Sequence, residues 1–124
     1  MNSPTRRNAV RKVLVVDDNV DGARALAMLV STMGHAVITA HTGQTALQYA
    51  RSVRPDVILL DVVLPDMDGC DIAMRLRQEY GNAMKIIAVT GFGNAEDRER
   101  VRAAGFDQHV VKPMDLDFLR SLLG

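Results

Sequence analysis

Carboxylate, hydroxyl and ammonium side chains follow four short apolar runs of this sequence. Asp17 and Asp18 follow the first run, Asp61 the third, Thr90 the fourth and Lys112 the fifth. Carboxylates that converge raise one another's pKa unless a cation neutralises them, and a hard divalent ion such as Mg²⁺ or Mn²⁺ prefers oxygen ligands. Together with a hydroxyl and an ammonium group, such a centre could bind a phosphoryl group, because positioning and charge neutralisation supply most of that catalysis. The alternative is that Asp17 or Asp18 only caps a helix.

The elements that must position these side chains are five strands and five helices in alternation. Short apolar runs predict the strands, and apolar residues at helical spacing between them predict the helices. Five βα units of this kind predict a parallel sheet with helices on both faces. The predicted strands are 13–16, 36–39, 57–60, 86–89 and 109–111, and the predicted helices are 23–33, 45–53, 72–80, 98–104 and 116–123.

Residues at the ends of these helices support the assignment. Glycine ends helices because it accepts a left-handed backbone, and short polar side chains cap helix starts. The predicted C-terminal glycines are Gly34, Gly81 and Gly105, and the predicted caps are Thr42, Asp68, Asn94 and Asp115.

The composition of the strands predicts their order in the sheet. The first, third and fourth runs are continuously apolar, as in strands that are covered on both faces. The second and fifth are more polar and suit the edges, which gives the order 2-1-3-4-5. This order places the switch point of a doubly wound sheet between strands one and three, where ligands bind beyond the carboxyl ends. Asp17, Asp18 and Asp61 follow those two strands.

With these motifs the sequence resembles the receiver domain of two-component response regulators, a flavodoxin-like (βα)5 fold. The resemblance covers residues 12–123, and its motifs are VVDDN at 15–19, DVVLPDMDG at 61–69, VTG at 89–91 and VKP at 111–113. It implies that Asp61 accepts a phosphoryl group from a histidine kinase or a histidine phosphotransfer protein. It also implies that Asp18, Asp61 and the Val63 carbonyl bind Mg²⁺ or Mn²⁺ directly, and that Asp17 binds it through water.

The same resemblance assigns roles to residues of the fourth and fifth strands. Thr90 would bond a phosphoryl oxygen, and Lys112 would bridge to Asp61 or to its phosphate. His109 stands at the position where the family has an aromatic switch residue, so phosphorylation would change the surface of helix 4, strand 5 and helix 5. The bond before Pro113 would be cis.

Two further side chains are expected to control the lifetime of the phosphoryl group. Val63 and Phe92 stand two positions after Asp61 and Thr90, where the family's side chains flank the water that hydrolyses the acyl phosphate. Neither can hydrogen-bond a water, so we expect slow self-dephosphorylation.

Composition indicates the number of domains, the classes of direct partner and the location of the protein. With 124 residues, 48% hydrophobic and 24% charged, the chain is one globular domain, for which we expect a flexible leader over 1–11 and a receiver domain over 12–124. Fifteen basic and fifteen acidic residues cancel, so neither nucleic acid nor a membrane is an expected direct partner. The single cysteine, Cys70, and the lack of a signal peptide predict a cytoplasmic location. Cys70 is expected to be packed, and His35 and His41 to be solvated.

Three function classes remain to be separated. The leading one is a signalling module without turnover of an external substrate, either as a separate regulator or as a receiver excised from a hybrid histidine kinase. A small metal-dependent phosphatase would need a substrate pocket and a general acid for which 124 residues leave little space. A flavin- or nucleotide-binding protein of the same architecture would need a phosphate loop rich in Ser, Thr and Gly after strand one, where Asp17 and Asp18 stand.

Overall fold

A computed structural model of the chain describes residues 10–91, 95–112 and 114–123. Strands and helices alternate along it. The strands β1 to β5 are Lys12–Val16, Ala36–Ala40, Val57–Asp61, Lys85–Thr90 and Gln108–Val111. The helices α1 to α5 are Val20–Thr32, Gly43–Val53, Gly69–Tyr80, Ala95–Ala103 and Leu116–Leu123.

The five strands form one parallel sheet in the order β2-β1-β3-β4-β5, which confirms the predicted fold class and strand order. The predicted central strands β1, β3 and β4 are the buried ones, and β2 and β5 are only partly buried at the edges. In the register, Val16 lies opposite Leu60, and Asp61 lies opposite Val89. The residues that follow β1 and β3 therefore emerge at the same edge of the sheet.

Two aliphatic cores lie on the two faces of the sheet because successive strand residues point to opposite sides. Leu14 and Val16 of β1 pack in the core that α2, α3 and α4 cover. Val13 and Val15 pack in the core that α1 and α5 cover. The buried side chain of Cys70 belongs to the first of these cores, as the sequence predicted.

Helices α1 to α4 begin two or three residues before their predicted starts, because their first turns carry no periodic apolar residues. Asn19 is the cap of α1, where its side chain accepts the Gly22 N–H, so neither Asp17 nor Asp18 is used as that cap. Thr42 and Asp68 cap α2 and α3 as predicted.

Positive φ angles occur where the sequence placed helix-terminating glycines. They are 92° at Gly34, 59° at Gly81 and 100° at Gly105. Arg54 ends α2 with a φ of 54° although it carries a side chain, and its guanidinium lies over the ring of Tyr80 at 4.5 Å. This cation–π contact compensates part of the backbone strain that the left-handed conformation costs.

The predicted leader 1–11 lies mostly outside the described residues, and its boundary stays a prediction. Its last residue, Arg11, makes several contacts with the folded body. The Arg11 N–H donates to His35 Nδ1 at 3.1 Å, and its carbonyl accepts the Ala36 N–H at 3.0 Å. His35 is therefore not simply solvated.

Within the described ranges, no helix combines the length and the apolar composition that crossing a bilayer requires.

Candidate functional site

The structure brings together the three aspartates that the sequence singled out. Asp17, Asp18 and Asp61 each offer a carboxylate oxygen, and these oxygens lie within 4.8 Å of one another. Asp17 is buried, Asp61 is half-buried and Asp18 is exposed. This cluster lies at the switch point between β1 and β3, where the strand order predicted a ligand site.

Several hydrogen bonds hold Asp17, among them one that its N–H donates to the Ala40 carbonyl at 3.0 Å. Its Oδ1 accepts a hydrogen bond from the Asn19 N–H at 3.0 Å, and its Oδ2 accepts one from Lys112 Nζ at 2.9 Å. Its main-chain carbonyl accepts a hydrogen bond from His41 Nδ1 at 3.0 Å, which requires the proton on that nitrogen. His41 is therefore not simply solvated. It fixes the end of β1 from the start of α2, a contact that the sequence analysis missed.

Asp61 is less fully neutralised than Asp17. Its Oδ1 accepts the Val63 N–H at 3.0 Å, while its Oδ2 lies 3.7 Å from Lys112 Nζ, an ion-pair distance longer than a hydrogen bond. Burial raises the pKa of Asp61 above its ordinary value; the Val63 N–H and Lys112 lower it, and the neighbouring Asp17 and Asp18 raise it further. An ionised Asp61 is therefore an electrostatic cost in the metal-free protein.

Among the described residues near the carboxylate cluster, Lys112 provides the positive charge. Burial alone would lower its pKa, but the hydrogen bond with Asp17 and the charges of Asp17, Asp61 and Asp18 outweigh burial and raise it. Lys112 stays protonated at neutral pH for this reason. One ammonium group facing three carboxylates leaves a net negative site.

The donor set fits a divalent cation with a preference for oxygen. Three carboxylate oxygens within 4.8 Å of one another are compatible with one such ion.

The loop after Asp61 is closely packed against the end of β3. Val63 and Asp68 form an antiparallel bridge, and the Gly69 N–H donates to the Val62 carbonyl at 2.7 Å. A Cβ at Gly69 would lie 2.7 Å from the Asp61 carbonyl oxygen and from the Val62 Cα. Position 69 consequently requires glycine, which lets α3 begin directly against the loop.

A second anchor ties this loop to α2. The carboxylate of Asp66 accepts the N–H groups of Gly43 and Gln44 at 2.7 and 3.0 Å, at the helix N-terminus. These hydrogen bonds lower the pKa of Asp66. The side chain of Met67 fills the space where a Cβ of Gly43 would stand. Sequence reasoning missed this anchor because Asp66 and Gly43 are 23 residues apart.

Thr90 and His109 line one small cavity beneath α4. The cavity is about 10 Å³ and is also lined by Val62 and Val101. Thr90 is 2% exposed at the end of β4. Both ring nitrogens of His109 are buried, and in the described part of the chain neither has a hydrogen-bond partner.

Helix α4 is joined to the loop after Asp61 by an ion pair. Arg100 Nη1 lies 2.8 Å from Asp68 Oδ2, and the other oxygen of the same carboxylate caps α3 through the Cys70 N–H. The sequence analysis did not single out Arg100, because the two partners are 32 residues apart.

The remaining predicted site residues divide into two groups. The Val63 side chain is 56% exposed beside Asp61, where the sequence placed it. Phe92 and Pro113, together with the predicted cap Asn94, lie outside the described residues. The lifetime role of Phe92 and the cis bond before Pro113 remain predictions.

Comparison with protein families gives the class to which this fold and site belong. The model of the response regulator receiver domain matches residues 13–123, nearly the whole chain. The chain belongs to the response regulator receiver domain family.

Individual relatives agree with this assignment. The probable transcriptional regulatory protein TcrX of Mycobacterium tuberculosis is 39% identical over 105 residues, which are 85% of this chain and 44% of that protein. The sensor histidine kinase RcsC of Escherichia coli is 35% identical over 111 residues, 90% of this chain and 12% of the kinase. This chain therefore spans less than half the length of these two relatives.

A solved structure confirms the fold. The chemotaxis protein CheY4 of Vibrio cholerae superimposes with a TM-score of 0.85 at 30% identity, covering 93% of this chain and 97% of that chain. The protein is a receiver domain of two-component signalling, a module of the kind that receives phosphoryl groups from histidine kinases. The alternative of a metal-dependent phosphatase finds no support in these comparisons.

Proposed function

We propose that Asp61 is the residue that accepts the phosphoryl group. One observation carries the proposal: Asp61 lies in a net negative cluster with Asp17 and Asp18, and the same lysine faces two of these carboxylates. A carboxylate oxygen of Asp61 attacks the phosphorus of a phosphohistidine. The phosphorus–nitrogen bond breaks, its electron pair stays on the donor imidazole, and an aspartyl phosphate forms.

The surrounding residues would bind the metal ion and neutralise the charge of the phosphoryl group. Asp17, Asp18 and Asp61, with the main-chain carbonyl of Val63, are the groups that would hold Mg²⁺ or Mn²⁺. When bound, this ion neutralises the carboxylates and the phosphoryl oxygens. Lys112 holds Asp17 at 2.9 Å and lies 3.7 Å from Asp61, within reach of an added phosphoryl oxygen. The Thr90 hydroxyl donates to another phosphoryl oxygen.

The test is labelling with acetyl phosphate and Mg²⁺, read by intact mass. The wild type should gain one phosphoryl group, and Asp61→Asn should gain none. Asp71→Asn, on the exposed first turn of α3, is the matched control and should be labelled like the wild type. Full labelling of the Asp61→Asn variant would show that the acceptor is another residue.

The lifetime of the aspartyl phosphate follows from the side chains beside the acceptor. Val63 is exposed next to Asp61 and has no group that could bind the attacking water. We expect slow decay in the wild type and decay at least about tenfold faster in Val63→Asn and Phe92→Glu, measured by loss of the added mass. If both polar variants decay at the wild-type rate, water exclusion is not what sets the lifetime.

The output is proposed to pass through Thr90, His109 and the surface of α4, β5 and α5. Thr90 and His109 line the same cavity, and Arg100 of α4 lines it too. A movement of Thr90 toward the phosphoryl group therefore changes the packing beneath α4.

The context of this domain is proposed from its relatives and its composition. A regulator and a receiver within a hybrid histidine kinase both remain, since the chain resembles part of TcrX and part of RcsC. We place the reaction in the cytoplasm, where a free cysteine such as Cys70 stays reduced.

A further inference from the structure

His109 presents a physical anomaly in this structure. Both of its ring nitrogens are buried, and neither has a hydrogen-bond partner among residues 10–91, 95–112 and 114–123. A buried donor or acceptor without a partner is destabilising, so the ring position is maintained against a penalty. A protonated ring would be penalised more, because it carries a charge and two donors.

The surroundings leave little room for water beside the inner side of the His109 ring. The cavity that His109 shares with Thr90 and Val62 is about 10 Å³. A single water needs roughly 10–15 Å³ and several polar partners, so this space is at the lower limit for one molecule. On its other side the ring borders a groove of about 430 Å³ between α4 and β5. That groove offers the ring a route to solvent.

The charged groups around His109 do not favour an imidazolium. Arg100 lines the inner cavity, and Arg98 and Arg102 line the groove. Two carboxylates also line these spaces. Asp107 forms an ion pair with Arg77 at 2.6 Å, and Asp97 interacts with another group. Thr90 of β4 and Val62 of the loop after β3 bring no charge. Arg100 is paired with Asp68 and Arg102 with Glu99, and no carboxylate of the described residues is hydrogen-bonded to the His109 ring.

We propose that His109 makes the switching of this domain sensitive to pH. The neutral ring occupies the position beside Thr90, and the protonated ring leaves it through the groove between α4 and β5. Imidazole can take up a proton in the mildly acidic range, which phenylalanine or tyrosine at this position could not do. Loss of the ring opens a space beside Thr90 and removes packing beneath α4.

The direction of the effect rests on the proposed function of Thr90. When Thr90 moves toward a phosphoryl group, the cavity beside it enlarges, and the neutral ring can fill the added space. The phosphorylated state then favours the neutral ring, and acidification disfavours that state. Coupling of this kind is reciprocal, because the proton and the phosphoryl group bias the same two arrangements.

The experiment compares the affinity for beryllofluoride with Mg²⁺ at pH 7.5 and pH 5.5 in the full chain. Protonation of Asp61, whose pKa is raised by burial, lowers the affinity in every variant. In the wild type, expulsion of the ring should lower it by about a further fivefold, beyond the loss seen in His109→Phe. His109→Gln serves as a second non-titrating variant if His109→Phe does not fold. His35→Gln is the matched control and should keep the wild-type pH dependence.

A second measurement separates this proposal from the proposed function. NMR of the unliganded protein should show the His109 ring and the Thr90 and Val101 methyl groups changing environment between pH 7.5 and 5.5. Equal pH dependence in the wild type and both His109 variants, or unchanged signals at these groups, would overturn the proposal. Failure of the wild type to bind beryllofluoride at any pH would count against the proposed function, and the NMR titration would still decide whether the ring moves.

Discussion

At the amino-terminal edge of the sheet, one arginine satisfies a set of backbone and side-chain acceptors. Arg77 of α3 donates to the carbonyls of Gly105, Gly81 and Met84 at 2.8, 3.0 and 2.7 Å. It also pairs with Asp107 Oδ2 at 2.6 Å, and that oxygen accepts an N–H at the start of β4 at 2.7 Å. The loops that precede β4 and β5 are thereby joined to α3.

Two more cations at this edge bind the end of α5. Lys85 Nζ donates to the Leu122 carbonyl at 2.9 Å, and Arg11 Nε donates to the Leu123 carbonyl at 2.8 Å. The last carbonyls of a helix have no partner within the helix and carry partial negative charge. These cations satisfy them.

At the carboxyl-terminal edge, the opposite holds. Asp17, Asp18 and Asp61 share one lysine, and burial raises the pKa of Asp61. The comparison teaches that the two edges have separate tasks. Paired charges at one edge hold the loops in place, while unbalanced charges at the other edge leave a net negative cluster that could hold a divalent cation.

The largest effect is expected from breaking the paired edge. Arg77→Met removes a side chain that is 16% exposed and leaves three carbonyls and Asp107 without it, so the free energy of unfolding should fall by about 3 kcal/mol. Urea denaturation measures this change. Arg51→Met, which breaks an exposed pair with Glu79, is the control and should change stability little. Similar losses in the two variants would contradict the central role of Arg77.

The next largest change in stability is expected from the backbone at the carboxyl-terminal edge. This edge is closely packed although its charges are not balanced. Gly69→Ala places a Cβ 2.7 Å from the Asp61 carbonyl oxygen and should cost about 2 kcal/mol of stability. It should also slow labelling by acetyl phosphate, because the loop carrying Val63 must move. Gly91→Ala, whose added Cβ would meet nothing within 4 Å, should leave stability and labelling unchanged.

Replacing an aspartate by asparagine should change the free energy of unfolding in opposite directions at the two edges of the sheet. Asp61→Asn removes a carboxylate whose folded pKa is raised, so it should raise the free energy of unfolding by about 1 kcal/mol at pH 7 without metal. The gain should vanish in acid, because protonation of Asp61 removes the same charge in the wild type. Asp107→Asn breaks the pair with Arg77 and should lower stability by about 1–2 kcal/mol. If both substitutions change the free energy of unfolding in the same direction, the contrast between the two edges is refuted.

The smallest effect concerns the cation. At a concentration near its dissociation constant, Mg²⁺ should raise the free energy of unfolding by about 0.5 kcal/mol at pH 7.5. The increment should shrink as pH falls, because the raised pKa of Asp61 lets protons compete there earlier than at an ordinary aspartate. Thermal unfolding with and without Mg²⁺ at several pH values measures it. An increment that persists in Asp61→Asn would place the ion elsewhere.

Local sequence patterns predicted much of the fold and part of the candidate site. Continuous apolar runs predicted β1, β3 and β4 as central strands, and Thr42 and Asp68 predicted two helix starts. The order of the strands then placed the three aspartates together, because parallel strands direct their carboxyl ends to one edge. The first turns of the helices were missed because they contain few apolar residues.

The sequence by itself determined the fold class, the strand order and the acidic cluster, because each depends on periodicity and on which residue follows a strand. Only the tertiary structure decided which distant groups meet. Asp66 reaches Gly43 across 23 residues, and Arg77 reaches Asp107 across 30. The burial of the His109 ring was likewise decided by the packing of α4 against β5. Such contacts depend on side-chain directions in the packed domain, and no spacing along the chain encodes them.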